Sequence, residues 1–319
     1  MTTKGKLDVV CIGCTVVDSV GLGVDGIPEE GSMTMFDRVE LHLGGCAMNA
    51  AVDLAKLGLK TGLVALVGAD GLGDFCVKTL AGHGVDTRGV KRTTKASTSF
   101  SFIIVPKSGN RRILHTLGAN AIIGPKDIDY SLMKGAKWAF FGGLAITPTL
   151  EGRNLANAAK AIRRLGVRVA ADTAVNKRYA RADWERMLAP AYEHFDIFFP
   201  SEEEAHMITG ETDPETICSI FRKRGVKIAG VKLGDKGSAV MSDEGFFRIP
   251  CYKVKCVDTL GAGDAFISGL LAGMCLGYTP SQAARLGNAV AAHCVQAVGA
   301  TTGIKPLREI LAFQRKRGI

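Results

Sequence analysis

The chain predicts an α/β fold in three layers, a mainly parallel central sheet between helices, with a small β-sheet lid over one edge. Three observations predict it. Short β-branched runs alternate with helical patterns, the order expected of βαβ units and of a sheet covered on both faces. Two segments, approximately 16–42 and 96–117, break that rhythm with strand-like residues and no convincing helix. A length of 319 residues with 47% hydrophobic content can bury one large core, and no repeat or low-complexity linker divides it, so residues 1–319 read as a single domain.

The first strand is LDVVCIG, Leu7 to Gly13. A helix pattern over Ala47 to Leu57 leads to the strand TGLVALVG, Thr61 to Gly68, and a further helix pattern covers Phe75 to His83. Later strands are WAFFGGL (Trp138 to Leu144), RVAAD (Arg168 to Asp172), IFFP (Ile197 to Pro200), IAGVKLG (Ile228 to Gly234) and SAVMS (Ser238 to Ser242), with helices between most of them. The last long apolar helix runs from about Asp264 to Leu276. Within the second irregular segment, STSFSFIIVPKSGNRRILHTLG reads as a hairpin about Lys107 to Asn110. Antiparallel pieces emerging from a parallel sheet do not easily join its core, so these segments are expected to form a small β-sheet flap over one edge.

The net charge of +9 and pI of 9.1 come from scattered Lys and Arg, and the densest cluster, Arg315, Lys316 and Arg317, reads as a solvated helix end. A nucleic-acid partner is not expected; an anionic substrate or nucleotide accounts for the excess charge. The nine cysteines read as buried small hydrophobes. Cys11 and Cys14 form a C-x-x-C, but Cys11 closes an apolar strand and no second such pair completes a zinc site. The apolar runs Ala265 to Leu276 and Trp138 to Ile146 are too short to span a bilayer, so a soluble cytoplasmic protein with no membrane partner is expected.

The chemistry concentrates in DTLGAGDAF, Asp258 to Phe266. Gly261, Ala262 and Gly263 let a charged group approach the backbone, and the unpartnered amides and positive dipole of the following helix start favour a phosphate. Asp264 is either an N-cap or a base beside that anion, and the glycines, which make room for a ligand, favour the base. LGGCAMNAAVDLAKLG, Leu43 to Gly58, pairs two glycines with Asn49, a set that can bring amides against hydroxyl groups. Asp18, just after the first strand, can accept hydrogen bonds from two vicinal hydroxyls. GADGLGD, Gly68 to Asp74, has G-x-x-G-x-G spacing and lacks the dinucleotide fingerprint, which argues against an oxidoreductase.

DTLGAGDAF is similar to the C-terminal signature of the ribokinase-like (PfkB) family of sugar and nucleoside kinases, and LGGCAMNAAVDLAKLG resembles its N-terminal signature. GADGLGD, GAN (Gly118 to Asn120) and KLGDKG (Lys232 to Gly237) resemble further landmarks, so the likeness covers nearly the whole chain. The resemblance implies a ribokinase-like fold and transfer of the γ-phosphoryl of ATP to a primary hydroxyl of a sugar, with Mg²⁺. It implies a lid over the sugar that also serves as a homodimer surface. Asp18, Gly44, Gly45, Asn49 and Asp264 would bind the sugar, with Asn120 and Arg112 as further candidates. Asp264 would act as base, with Gly261, Ala262 and Gly263 holding the transferring group.

For the nucleotide, the resemblance points to Lys232, Gly234, Asp235, Gly237, Gly261, Gly263 and, near the adenine, Asn288. FFPSEEEAHMITG, Phe198 to Gly210, resembles the family's metal and phosphate motif, with Ser201 where the family has Asn and Glu204 where it has Glu; Glu204 would hold a magnesium shell through water. Asp258, Cys294 and Gly299 fall near the family's monovalent-cation site, implying K⁺. Asp172 with Asn176, Arg178 and Trp184 resembles a pattern of several sugar kinases, and a strand-terminal Asp at the carboxyl edge of a parallel sheet lies where ligands bind. A nucleoside kinase remains an alternative, with Phe100 and Phe102 as candidates to stack a base. A non-catalytic sugar-binding protein would tolerate loss of Asp264, and the presence of that residue argues against it.

Overall fold

The computed structural model describes residues 5–24, 26–106, 112–174 and 178–317. The strands are β1 (Val9–Gly13), β2 (Val16–Leu22), β3 (Arg38–Gly44), β4 (Thr61–Gly68), β5 (Asp86–Thr93), β6 (Phe100–Val105) and β7 (Arg112–Thr116). They continue with β8 (Trp138–Leu144), β9 (Arg168–Thr173), β10 (Ile197–Phe198), β11 (Ile228–Lys232), β12 (Ser238–Ser242) and β13 (Gly245–Ile249). The helices are α1 (Cys46–Lys56), α2 (Gly71–Gly82), α3 (Gly152–Arg164), α4 (Arg181–Leu188), α5 (Glu202–Thr209), α6 (Pro214–Lys223), α7 (Ala262–Cys275), α8 (Pro280–Cys294) and α9 (Leu307–Lys316).

One sheet has nine strands in the order β13-β12-β11-β10-β9-β8-β1-β4-β5, parallel except for the antiparallel β12 and β13 at one edge. Because strand side chains alternate, each apolar run serves two cores at once. Val10, Ile12, Val64, Phe141 and Val169 pack beneath α3 to α6, while Val9, Cys11, Leu63, Phe140 and Ala170 pack against α1, α2, α7, α8 and α9. The chain leaves β1 through β4 to β5, then returns to lay β8 on the other side of β1. That reversal opens a crevice at the carboxyl ends of β1 and β8, where α/β sheets take ligands.

The second sheet joins the two irregular segments, in the order β3-β2-β6-β7. Its registers set Asp18 opposite His42 and Ser101, and Ser101 opposite His115, so these four side chains form one row on one face. Phe100 and Phe102 alternate onto the other face, as does Arg112 through its partner Ile104. The two Phe offered for stacking a base, and the sugar candidate Arg112, therefore lie on the face opposite Asp18. The expected turn at Lys107 to Asn110 lies outside the described residues.

One helix start and two edge strands differ most from the sequence reading. α2 starts at Gly71, because the Asp70 carboxylate accepts from Gly73 N at 2.8 Å and caps it. β5 and β13 were not foreseen: as edge strands they keep charged, exposed residues that break an apolar run. Among the described residues no helix is long and apolar enough to cross a membrane.

Asn120 has a different task from the one expected. It is fully buried, donating Nδ2 to Thr15 O at 2.8 Å and accepting from Thr15 N at 3.1 Å, so both halves of its amide are engaged in clamping the backbone just past β1. Asn120→Ala removes this clamp and leaves buried Thr15 groups unpaired, and is expected to lower unfolding stability by about 1–3 kcal/mol in urea denaturation. An unchanged midpoint would contradict the clamp.

Candidate active site

Gly261 caps α7 with φ of 75°, and a Cβ there would lie 2.5 Å from Ala300 O, so the turn into α7 requires glycine. The helix therefore begins at Ala262, two residues earlier than expected, and Asp264 is its third residue. No side chain caps this helix, which removes the N-cap reading of Asp264. Instead its Oδ2 accepts from Asn49 Nδ2 at 2.8 Å. Burial raises the Asp264 pKa above the ordinary carboxylate value, against the opposing bond from Asn49 and the Lys232 charge.

Asn49 sits in the first turns of α1, and its placement depends on the preceding glycines. Gly45 has φ of 92° and lies where a Cβ would meet Cys14 O at 2.7 Å. At Gly44 a Cβ would fall 2.2 Å from Asp18 Oδ2, so the missing side chain is what lets the Asp18 carboxylate lie over the entrance to α1. The expected sugar set is therefore linked in space: Asp18 on Gly44, Gly45 at the start of α1, Asn49 on α1, and Asp264 bonded to Asn49.

A second cluster comes from three neighbouring strands. Asp172 is the next-to-last residue of β9, Ser201 and Glu204 follow β10, and Lys232 ends β11. The partly buried Lys232 ammonium pairs with Asp172 Oδ2, and Asp172 Oδ1 accepts from Thr173 N at 2.8 Å. Glu204 Oε2 accepts from Ser201 N at 2.8 Å and from Thr173 Oγ1 at 3.0 Å. Ser201, the departure from the family Asn, caps α5 by accepting from Glu204 N at 3.4 Å. Burial pushes the Asp172 pKa up to about 7, with Lys232 opposing and Glu204 reinforcing. Burial works to lower the Lys232 pKa, but Asp172 and Glu204 outweigh it and raise it. A Cβ on Gly263 would stand 3.4 Å from Lys232 Nζ, so the ammonium lies against the first turn of α7 and joins the two clusters.

Other expected residues divide. Gly234 and Asp235 form an exposed turn between β11 and β12, closed by Gly237, whose φ of 98° leaves no room for a Cβ beside Ile249 O. Asn288, expected near the adenine, is buried, and its Nδ2 donates to Ile249 O at 3.0 Å and Pro250 O at 3.1 Å, fixing α8 to the end of β13. Asp258 accepts from Leu260 N and Gly299 N, both at 3.0 Å, and the Cys294 thiol donates to Ala300 O at 3.2 Å, so the three expected cation-site residues meet at the loop entering α7. Trp184 is a core residue, edge-on to Tyr179 at 5.7 Å, and Asn176 lies outside the described residues.

Sequence reasoning missed the Lys232–Asp172 pairing, the bond from the Cys46 amide to Cys14 Sγ and the row His42, Ser101 and His115 beside Asp18. Only the position of Cys46 directly after the Gly-Gly pair was a usable signal.

Comparison with protein families matches residues 6–307 to the pfkB family carbohydrate kinases. The chain belongs to that family. As a carbohydrate kinase it is 31% identical over 306 residues to the ribokinase of Mus musculus, covering 91% of this chain and 90% of that protein. It is 29% identical to an ATP-dependent 6-phosphofructokinase of Thermoanaerobacterium thermosaccharolyticum, covering 96% of this chain and 93% of the other. Among solved structures, the ribokinase of Thermotoga maritima superposes with a TM-score of 0.82 at 28% identity, covering 97% of this chain and 99% of that one. A ribokinase II of E. coli, solved with ATP and Mg²⁺, gives 0.83 at 25% identity, with 97% and 99% coverage. The kinase fold is thus ribokinase-like, with the large mostly parallel sheet and the smaller second sheet described above.

The electrostatics of the second cluster are directly measurable. The Asp172 carboxyl ¹³C resonance is expected to titrate near 7, and in Lys232→Met, which removes the opposing positive charge, to titrate at higher pH. A Lys232→Met protein with an unmoved Asp172 titration would contradict the pairing.

Proposed function

We propose that this kinase transfers the γ-phosphoryl of Mg·ATP to a primary hydroxyl of a pentose, hexose or related sugar. The observation that carries the reading is Asp264, buried in the first turn of α7, fastened to Asn49 and flanked by Lys232. Phosphoryl transfer has a loose transition state, so positioning and charge stabilisation matter more than a strong base. The amides of Gly261 to Asp264 and the α7 dipole hold the charge on the transferring group, and Lys232 neutralises part of it. Asp264, oriented by Asn49, accepts a hydrogen bond from the acceptor hydroxyl and takes its proton late.

Asp18 and the amides at Gly44 and Gly45 hold neighbouring hydroxyls. Ser101, with its Oγ 3.0 Å from His115 Nδ1, continues that row of polar groups along the smaller sheet. Phe100 and Phe102 lie on the opposite face from Asp18, which favours a sugar over a nucleoside. The smaller sheet, strands from 16–42 and 96–117, closes as a lid on a single domain of 1–319 and excludes water. Val39, Leu41 and Leu114, exposed on the face away from Asp18, support its use as a homodimer surface.

Glu204, an anchored carboxylate beside Asp172 and Lys232, offers the hard oxygen donor that a magnesium shell requires, held through water. Bound with ATP, Mg²⁺ supplies charge neutralisation at the phosphate oxygens. The Asp258, Cys294 and Gly299 loop carries the proposed K⁺ effect, acting through the turn at Gly261. We place the reaction in the cytoplasm, where ATP is supplied.

The test is ADP release with Mg·ATP across pentoses, hexoses, sugar acids, sugar phosphates and nucleosides. Turnover is expected on a sugar, and Asp264→Asn is expected to keep the fold and lose on the order of 10² to 10⁴ in kcat. A variant within a few-fold of the parent would refute the role of Asp264, and exclusive turnover of nucleosides would refute the sugar.

A further inference from the structure

We infer that Cys14 and Cys46 are an oxidative modification site, a dithiol whose closure to a disulfide disables the crevice; its effect on turnover rests on the phosphotransfer reading above. Cys14 follows β1 and Cys46 opens α1, so the two lie at the floor where the sheet topology reverses. The Cys46 amide donates to Cys14 Sγ at 3.1 Å. A Cβ on Gly143 would fall 2.4 Å from Cys14 Sγ and 3.4 Å from Cys46 Sγ, so both sulfurs converge over the bare backbone of that glycine. All nine cysteines are free, and Cys11, the C-x-x-C partner of Cys14, packs in the core against α1 and α7 instead.

The two thiols are chemically unequal. Cys14 is buried, and the bond from Cys46, together with the Ala47 and Cys46 amides, holds its pKa below the ordinary thiol value despite burial. Cys46 is only partly buried, which leaves it the thiol that a small reagent reaches, while the neighbouring Cys14, burial and the Asp264 charge raise its pKa well above the ordinary thiol value and make its attack slow at neutral pH. The step starts with Cys46 attacking a low-molecular-weight disulfide such as oxidised glutathione; an S–S bond forms to Cys46 and the first glutathione leaves with the Cys46 proton. Cys14 thiolate then attacks Cys46 Sγ, forming the Cys14–Cys46 bond and expelling the second glutathione, which takes the Cys14 proton. Two protein thiols are oxidised and one glutathione disulfide is reduced to two thiols.

A disulfide requires an S–S distance of about 2.05 Å and a fixed dihedral, so Cys46 Sγ must move onto Cys14 Sγ and draw the first turn of α1 with it. That turn is flanked by Gly44 and Gly45 and bears Asn49. The modification therefore disturbs acceptor contacts and base orientation together.

The test treats the reduced full-length protein with oxidised glutathione, measures phosphoryl transfer, and maps peptides by mass spectrometry without reduction. Expected are a Cys14–Cys46 cross-linked peptide two hydrogens lighter than the free pair, a fall in turnover on the order of 10²-fold, and recovery with dithiothreitol. Cys14→Ser, which cannot resolve the mixed disulfide, is expected to accumulate glutathione on Cys46. A parent protein that forms no cross-link, or forms it with turnover unchanged, overturns the inference. Absence of turnover in the reduced parent would sink the proposed function alone, because the cross-linked peptide still decides whether the dithiol closes.

Discussion

The hydrogen bond from Asn49 to Asp264 joins residues 215 positions apart and fixes α1 against α7 at the mouth of the crevice. Neither helix places its polar residue by itself. Asp264 is aimed by a helix that is apolar on nearly every side and held by close backbone contact, a Cβ on Gly269 falling 2.8 Å from the Gly287 backbone of α8. Asn49 is aimed by an α1 whose start demands glycine at Gly45. Ser268, one turn below Asp264, donates to Asp264 O at 2.8 Å and reaches Ala50 O at 3.4 Å, a second tie along the same seam. With this seam fixed, the helix terminus, the base and the acceptor side of the crevice keep one geometry.

Charge is gathered there at some cost to stability. Asp172, Glu204 and Asp264 lie within one field around Lys232, and burial of ionised groups is unfavourable unless each is paired or bonded. Lys232 balances part of that charge, and Thr173, Ser201 and Asn49 bond the carboxylates. The parallel sheet makes the gathering possible, since β9, β10 and β11 are neighbours and all end at the same rim. A site of this kind exchanges stability for readiness to receive a charged ligand.

Much of this was legible in the chain. Thr61–Gly68, Trp138–Leu144 and Ser238–Ser242 are strands with the boundaries their β-branched and aromatic runs suggest, and the smaller sheet arises from the two segments that lack helical periodicity. Asp18, Gly44, Gly45, Asn49 and Asp264 were found because glycine pairs and isolated polar residues stand out against apolar helices. What was not legible depends on register and on competition for hydrogen bonds. Alternation says that Ser101 and Phe102 face opposite ways, but only the pairing with β2 says which one shares the face of Asp18. Asn120 and Asn288 look like ligands in sequence, and are engaged by the backbone carbonyls that three-dimensional packing brings to them.

The most direct test of the central seam is a double-mutant cycle on kcat/KM with Asn49→Ala, Asp264→Asn and the pair. If Asn49 acts by orienting the Asp264 carboxylate, the double variant is little worse than Asp264→Asn alone, with a coupling energy of about 1–3 kcal/mol. Fully additive losses would show that the two residues act independently and would contradict the account.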